Sequence, residues 1–424
     1  MHRVQLIRER IKTRSLPHAC TRLIHIAQRY GSNARQFSAT LTELITLTAR
    51  YHCTPTIPVT AMILKRHADL FRSIRKMNVE LGIHGLRHID YSHVGISTLN
   101  QHLQEAVMIF KEEQIPGTGF RFPYLRQDDA RIRELTGFHF QWDSSKAVVF
   151  DVLEDNRFPA DKWQVYQRFL EMYQPLKQNE ETGLPFFIDN MVEIPVALPD
   201  DDILVDQLGI RNQDDIFAVW SAMLDMTIQA SGCLVLQVHP ERFHLYKNAL
   251  ENLLRKASSE NIWIASLGSI ADWWRKKWQG NGIVTIQKLD RNRFRMQYPE
   301  EDGMVCMLMK KGRMVRKGRN ITVECSRKPV VGLAPDTSGQ IRSFLQTNGY
   351  FWENSGDANA CTLYIPARYD RKEDWQFRLR NALNTSEMPL LGYARWPDNR
   401  PACLAVSGDI DCVTYWDFFT RFHD

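Results

Sequence analysis

Val79-Glu80-Leu81-Gly82-Ile83-His84-Gly85-Leu86-Arg87-His88 is the stretch from which the fold of this chain can be read. An apolar, strand-like run ends in two histidines four residues apart. If Leu86–His88 begin a helix or a tight turn, both imidazoles lie on one face, where they can share a divalent metal. The plain alternative is that they cap or pack at the strand end. A metal site needs a third donor, and the chain offers one far away, in Gly408-Asp409-Ile410-Asp411. In an extended segment Asp409 and Asp411 point to the same face. One carboxylate can bind a cation while the other stays close enough to take a proton. Asp411 with His84 and His88 makes a His2-Asp set that leaves positions for water and substrate.

Working outward, helix-spaced apolar residues at 19–30 and 39–51 precede a short buried strand at Thr54–Thr60. Helix His67–Lys76 leads into the quoted strand. Helix Leu99–Gln114, strand Gly119–Tyr124, helix Asp128–Thr136 with Gly137 as its stop, and strand Phe138–Asp143 follow. Such alternation predicts a parallel sheet or barrel. The style continues through Val192–Leu198, helix Asp214–Ala230, the β-rich run Cys233–Pro240 and helix Ser269–Trp278. Past Gly280 it changes. Val284–Ile286, Met304–Met309, Ile321–Val323 and Cys361–Ile365 are short alternating runs, which predict a small all-β domain. From Arg395 the βα style returns, with a strand at Ala402–Ser407 and a helix carrying Trp416, Phe419 and Phe422. The expected division is residues 1–280 for the main part, 281–395 for a β-rich accessory domain, and 396–424 returning to the main part.

Composition narrows the classes. A chain of 424 residues is long for one core and suggests two units. A net charge of +5, without clustered Lys and Arg, gives no case for nucleic acid or an anionic membrane. The eight cysteines form no CxxC pair and read as buried thiols of a reducing compartment. No apolar run is long enough to span a membrane. Met1–Arg14 is basic with one acid, Glu9, and lacks the apolar core of a secretory signal, so it reads as a solvated basic helix. The location expected on these grounds is cytoplasmic.

Together these elements resemble the polysaccharide deacetylase superfamily of NodB-homology, carbohydrate esterase family 4 type, over roughly residues 40–275 and 400–424. His84-Gly-Leu-Arg-His88 resembles its His-x3-His metal motif and Arg121-Phe-Pro123 its Arg-x-Pro motif. Asp143-Ser-Ser145 resembles its Asp-x-Ser motif, and Leu236-Gln-Val-His239 the Leu-x-x-His motif. The motifs stand in the family's order, each at a strand end. The fold implied is α/β, a distorted (β/α)7 barrel, beside the smaller β-rich domain. One motif is out of place. The aspartate pair that opens the family's barrel is missing upstream, and no aspartate precedes Asp69. Leu404–Asp411 resembles it instead, which implies a circularly permuted barrel with Ala402–Ser407 paired in parallel beside Thr56–Val59. A lone second module starting at Pro401 could not bury its apolar faces.

The resemblance implies a metal-dependent hydrolase that removes N-acetyl groups from a sugar in a polysaccharide or glycan precursor. The metal would be Zn2+, with Co2+ or Ni2+ as alternatives, held by Asp411, His84 and His88. Asp409 would be the general base, oriented by Arg121. The backbone N–H near Tyr124 would hold the oxyanion, and His239 would protonate the leaving amine. Asp143 would hydrogen-bond His239 or Arg121. The residue between the two acids leaves their division of base and ligand roles open. Arg121 could instead be a surface ion-pair residue, Asp143 a helix N-cap and His239 a strand-end histidine. Asp200-Asp201-Asp202 reads as a solvated loop, and Trp273, Trp274 and Trp278 as packing. A catalytically inactive glycan-binding module and a hydrolase of a small non-sugar amide are the alternatives.

Overall fold

A computed structural model describes residues 29–177, 183–279, 284–297, 303–318 and 320–420. The expected helix at Met1–Arg14, most of the helix at 19–30, Cys20 and Phe422 lie outside the described residues. Two compact units are present. Of the described residues, the first takes those up to Glu260, Ile264–Ser269 and those from Leu404 on; the second takes Asn261–Trp263 and those from Ile270 to Cys403.

The first unit is built on a curled sheet. Its strands are β1 (Thr56–Val59), β2 (Glu80–Ile83), β3 (Gly119–Phe120), β4 (Trp142–Asp143), β5 (Ala147–Val149), β6 (Leu176–Lys177), β7 (Phe186–Ile188), β8 (Met191–Glu193), β9 (Val196–Leu198), β10 (Cys233–Val238) and β11 (Cys403–Gly408). The path from edge to edge is β6-β5-β9-β10-β11-β1-β2-β3-β4-β8-β7. In this path β7 and β8 pair antiparallel. The path closes on itself. β4 and β5 are halves of one bent run, Trp142–Val149, and β8 and β9 are halves of another, Met191–Leu198. The first halves pair in parallel at Asp143 and Glu193, the second at Val148 and Ala197. Counting each bent run once leaves seven segments in a ring, the barrel that the alternation predicted. The strands β1, β10 and β11 are buried at every residue, as expected of parallel strands covered on both faces. The indole of Trp142 fills the interior at two glycines, since a Cβ on Gly119 would lie 1.8 Å from its ring and one on Gly82 2.7 Å. Larger residues there would expel the Trp142 ring.

The C-terminal strand takes the place expected of it. β11 lies between β10 and β1, in parallel with β1 at Ser407 and Thr56. Ile410 continues the pairing, donating to Pro58 O at 2.9 Å and accepting from Thr60 N at 3.1 Å. The helix that follows, Tyr415–Thr420, leaves aromatic side chains outside the core. Trp416 is 60% exposed and Phe419 36%. Charge anchors this helix. Asp417 is buried and accepts from Arg66, from His67 Nε2 at 2.9 Å and from the backbone N–H groups of Val413 and Thr414 at 3.1 and 2.8 Å. A carboxylate capping the first turn satisfies N–H groups that the helix itself leaves without partners.

The second unit corrects the expectation of an all-β domain. Thr285–Asp290, Arg293–Gln297 and Asn320–Glu324 form one antiparallel sheet, and Cys306–Lys310, Arg313–Gly318 and Leu390–Tyr393 another. Lys328–Leu333, however, pairs in parallel with both Trp352–Asn354 and Cys361–Ile365. Helices Gly339–Thr347 and Trp375–Thr385 accompany this sheet. Its strands are three to six residues long, a length at which apolar runs do not separate hairpins from βαβ units. The helical spacing of Ile341, Phe344 and Leu345, all buried, carried the missed signal. No described helix is long and apolar enough to cross a membrane. The described cysteines are all buried, and no disulfide joins them.

Candidate active site

Parallel strands bring their C-terminal ends to one rim of a barrel. His84 follows β2, Arg121 follows β3, Asp143 ends β4, His239 follows β10 and Asp409 follows β11. Residues 84 to 409 in sequence thereby meet at one place.

Asp409 is 8% exposed and held from both sides. Arg121 Nη1 donates to its Oδ1 at 2.8 Å, and Gln237 Nε2 donates to its Oδ2 at 3.0 Å. Arg121 is fully buried, which excludes the surface ion-pair alternative. Each of its three nitrogens is engaged, because Nε donates to Ser144 O and Nη2 to Ser144 Oγ, both at 2.9 Å. Burial alone would raise the Asp409 carboxyl. The Arg121 guanidinium, with His84 and His239, outweighs it and holds Asp409 below the ordinary value. Asp409 is therefore ionised at neutral pH.

The two histidines are presented by a turn without helix. Gly85 has φ +78°, and the ring centroids of His84 and His88 lie 5.2 Å apart. Each faces one acid. His84 Nε2 is 3.7 Å from Asp409 Oδ2, and His88 Nδ1 is 3.5 Å from Asp411 Oδ2. His84 Nδ1 donates to Arg121 O at 2.9 Å, which fixes the tautomer and leaves Nε2 as a bare lone pair. That nitrogen is buried and has no hydrogen-bond partner, and burial keeps the ring neutral by lowering its pKa. An oriented, neutral, buried imidazole nitrogen beside two carboxylates has the chemistry of a metal ligand, so the residues present fit a divalent cation.

His239 is organised differently. Its Nδ1 donates to Asp201 Oδ1 at 2.7 Å, and its backbone N–H donates to Asp201 Oδ2 at 3.2 Å. Burial would lower its pKa, but the Asp201 carboxylate reverses that and lifts it to about 10. Among the described residues, Asp200, Asp201 and His239, and not Asp411, His84 and His88, place three donor atoms within 4.8 Å of one another, a group that could hold a metal ion. Asp201 nonetheless already occupies Nδ1, and the ring is held protonated, so the trio behaves as an ion pair. The acidic run is thus not a solvated loop. Asp200 is 3% exposed and Asp201 fully buried, and burial together with Asp202 and Asp201 pushes Asp200 up to about 7.

Asp143 departs from the expected role, since neither His239 nor Arg121 is its recorded hydrogen-bond partner. It accepts from Ser145 Oγ at 2.6 Å and stands opposite Glu193 on β8. Ser145 Oγ in turn accepts from Phe122 N at 2.9 Å. The residues expected of Asp143 are Ser144, for Arg121, and Asp201, for His239. Tyr124 sits on a 3-10 turn, Pro123–Leu125, with φ +61°, and its ring lies 4.2 Å from that of His88. A left-handed backbone at a non-glycine residue is sustained only where surroundings enforce it. A cavity of about 270 Å³ beside this turn is lined by Ser92, Leu125, Arg126, Lys146, Ala147 and Tyr173.

Gln237, Asp201, Ser144 and Glu193 escaped the sequence reading. Gln237 had a signal: a lone amide in an otherwise apolar strand, two residues before His239 and on the same face.

No family model and no curated protein matches the chain. Solved structures do. The chain is similar in structure to the allantoinase PuuE, at 19% identity and TM-score 0.45, over 61% of this chain and 76% of that one. It is similar to a probable polysaccharide deacetylase from Pseudomonas aeruginosa PAO1, at 18% identity and TM-score 0.45, over 60% and 75%. A family 4 carbohydrate esterase from Streptomyces lividans matches at 10% identity and TM-score 0.26, over 48% and 88%.

Proposed function

We propose that this chain is a metal-dependent hydrolase of the polysaccharide deacetylase superfamily, circularly permuted, that removes N-acetyl groups from a sugar in a polysaccharide or glycan precursor. The observation that carries the reading is the pair Asp409 and His239. One rim holds a carboxylate ionised, in part by the His239 charge, and an imidazole kept protonated by Asp201. Titratable groups whose pKa values are pushed apart in this way mark a base and an acid.

Asp411, His84 and His88 would hold the metal, which when bound polarises the acyl oxygen and acidifies water. Asp409 takes a proton from the attacking water at Oδ2, while Arg121 keeps its other oxygen engaged and its charge in place. Backbone N–H near Tyr124 stabilises the oxyanion. His239 gives the proton on Nε2 to the departing amine, and Asp201 keeps Nδ1–H directed away from it. A catalytically inactive glycan-binding module would need neither a charged base nor a charged acid.

Release of acetate from N-acetylglucosamine oligomers and from peptidoglycan fragments by the metal-loaded protein tests the proposal. Glycan binding without acetate release would favour the inactive module. Activity on allantoin or other small amides alone would favour the non-sugar hydrolase.

A further inference from the structure

Asp143 and Glu193 face each other across β4 and β8, directly opposite in register and both fully buried. One oxygen of each is accounted for. Asp143 Oδ1 accepts from Ser145 Oγ, and Glu193 Oε1 accepts from Lys146 N at 2.9 Å. The other two, Asp143 Oδ2 and Glu193 Oε2, are buried and meet no donor. Yet the two carboxyls are close enough to bond to each other. Two carboxylates cannot bond as anions, and two adjacent buried charges would repel strongly. One proton between Oδ2 and Oε2 satisfies both orphaned oxygens. The charged groups facing the pair are Arg121 and Lys146. Arg121 is committed to Asp409, and Lys146 Nζ to Asp129 at 2.9 Å. Burial raises both carboxyls; Ser145, the Ser144 N–H and Arg121 hold Asp143 down against it, while the Asp143 charge pushes Glu193 further up, so Glu193 is the member that keeps the proton.

The pair sits at the root of the Arg121 clamp. Ser144, next to Asp143, accepts two of the Arg121 donors, and its Oγ donates to Ile194 O at 2.7 Å. Ile194 is next to Glu193, and its N–H donates to Asp143 O at 2.8 Å.

We propose that Glu193 is a positioning residue that works as a neutral acid: its carboxyl proton, donated to Asp143, locks the ends of β4 and β8 together and so sets Arg121 against Asp409. The shared proton stands on its own geometry; only the effect on turnover rests on the reading of Asp409 as base.

The test uses the full chain with Glu193→Gln and Glu193→Leu. At pH 8 the parent should show the infrared C=O stretch of a protonated carboxylic acid, and E193Q should lack it. E193Q should keep kcat within about threefold of the parent, because its amide N–H can donate to Asp143 and its carbonyl can accept from Lys146. E193L leaves Asp143 without that donor and should lower kcat about 10- to 100-fold at unchanged KM and unchanged far-UV circular dichroism, the size of effect expected of a misplaced catalytic group. An acid band that is absent from the parent or persists in E193Q overturns the shared proton. E193Q as slow as E193L, or E193L as fast as the parent, overturns the positioning role. If the parent releases no acetate, the function proposed above fails, and the infrared result still decides the state of Glu193.

Discussion

Asp201→Asn removes one charge and one acceptor, that of the His239 backbone N–H. The asparagine oxygen can still accept from His239 Nδ1, so the tautomer survives while the charge that holds the proton is lost. In the parent, His239 is lifted from 6.5 to about 10. That rise corresponds to about 5 kcal/mol at roughly 1.4 kcal/mol for each tenfold change. His239 is 21% exposed at its side chain and Asp201 fully buried, and breaking such a pair costs about 3–5 kcal/mol, so about 4 kcal/mol is the expected loss. Without the Asp201 charge, burial dominates and His239 titrates at or below its ordinary 6.5. An acid with that pKa is about 3% protonated at pH 8, so kcat there should fall about 30-fold or more. The alkaline limb of the kcat profile should move from near 10 to about 6.5 or lower. Stability should follow the same proton. A histidine whose pKa is raised by folding contributes fully below 6.5 and loses that contribution as pH rises through about 10. The difference in Tm between parent and D201N should therefore be largest near pH 6 and shrink toward pH 10. Acetate release against pH, with thermal melts across the same range, measures both. An alkaline limb that coincides in the two proteins would remove His239 as the acid.

Further outcomes follow from the same geometry. Asp411→Asn should lose both metal and turnover, whereas Asp409→Asn should lose turnover and largely keep the metal, as read by metal analysis of the purified proteins; full occupancy in the His84→Ala/His88→Ala double variant would rule that site out. Asp417→Ala removes the carboxylate shared by Arg66, His67 and two backbone N–H groups and should cost about 3 kcal/mol at neutral pH, the lower end for a buried pair because Arg66 is partly exposed. His67 and Arg66 outweigh burial and hold the Asp417 carboxyl below its ordinary value, so this difference in Tm should persist above about pH 4 and fade in acid. Deleting 396–424 removes β11 and leaves β10 and β1 as open edges, so the product should aggregate; a soluble monomer with the parent's Tm would show that the ring does not need its last strand.

The sequence by itself determined the parallel architecture, because strands buried on both faces read as continuous apolar runs separated by helix-spaced segments. Only the resemblance of Leu404–Asp411 to the family's aspartate motif implied the place of Ala402–Ser407 beside Thr56–Val59, but residue type and period did determine which side chains stand at strand ends. These features are local: they depend on residue type and period within a few positions. Burial patterns are local too where they are apolar, but Trp416 and Phe419 are equally apolar and lie exposed, since the salt bridges of Asp417 settle that helix. What only the tertiary structure decided is who holds whom. Asp201 reaches His239 across 38 positions, Ser144 reaches Arg121 across 23, and Gln237 reaches Asp409 across 172. No periodicity links residues so far apart. Asp143 illustrates the difference: its motif marks it as a site residue, but its partner is whichever polar group the neighbouring strand sets opposite, and the register of β4 on β8 makes that group Glu193. A charge run such as Asp200–Asp202 is likewise solvated or buried according to whether a counter-charge meets it, and His239 and Arg242 meet it only after the ring has closed.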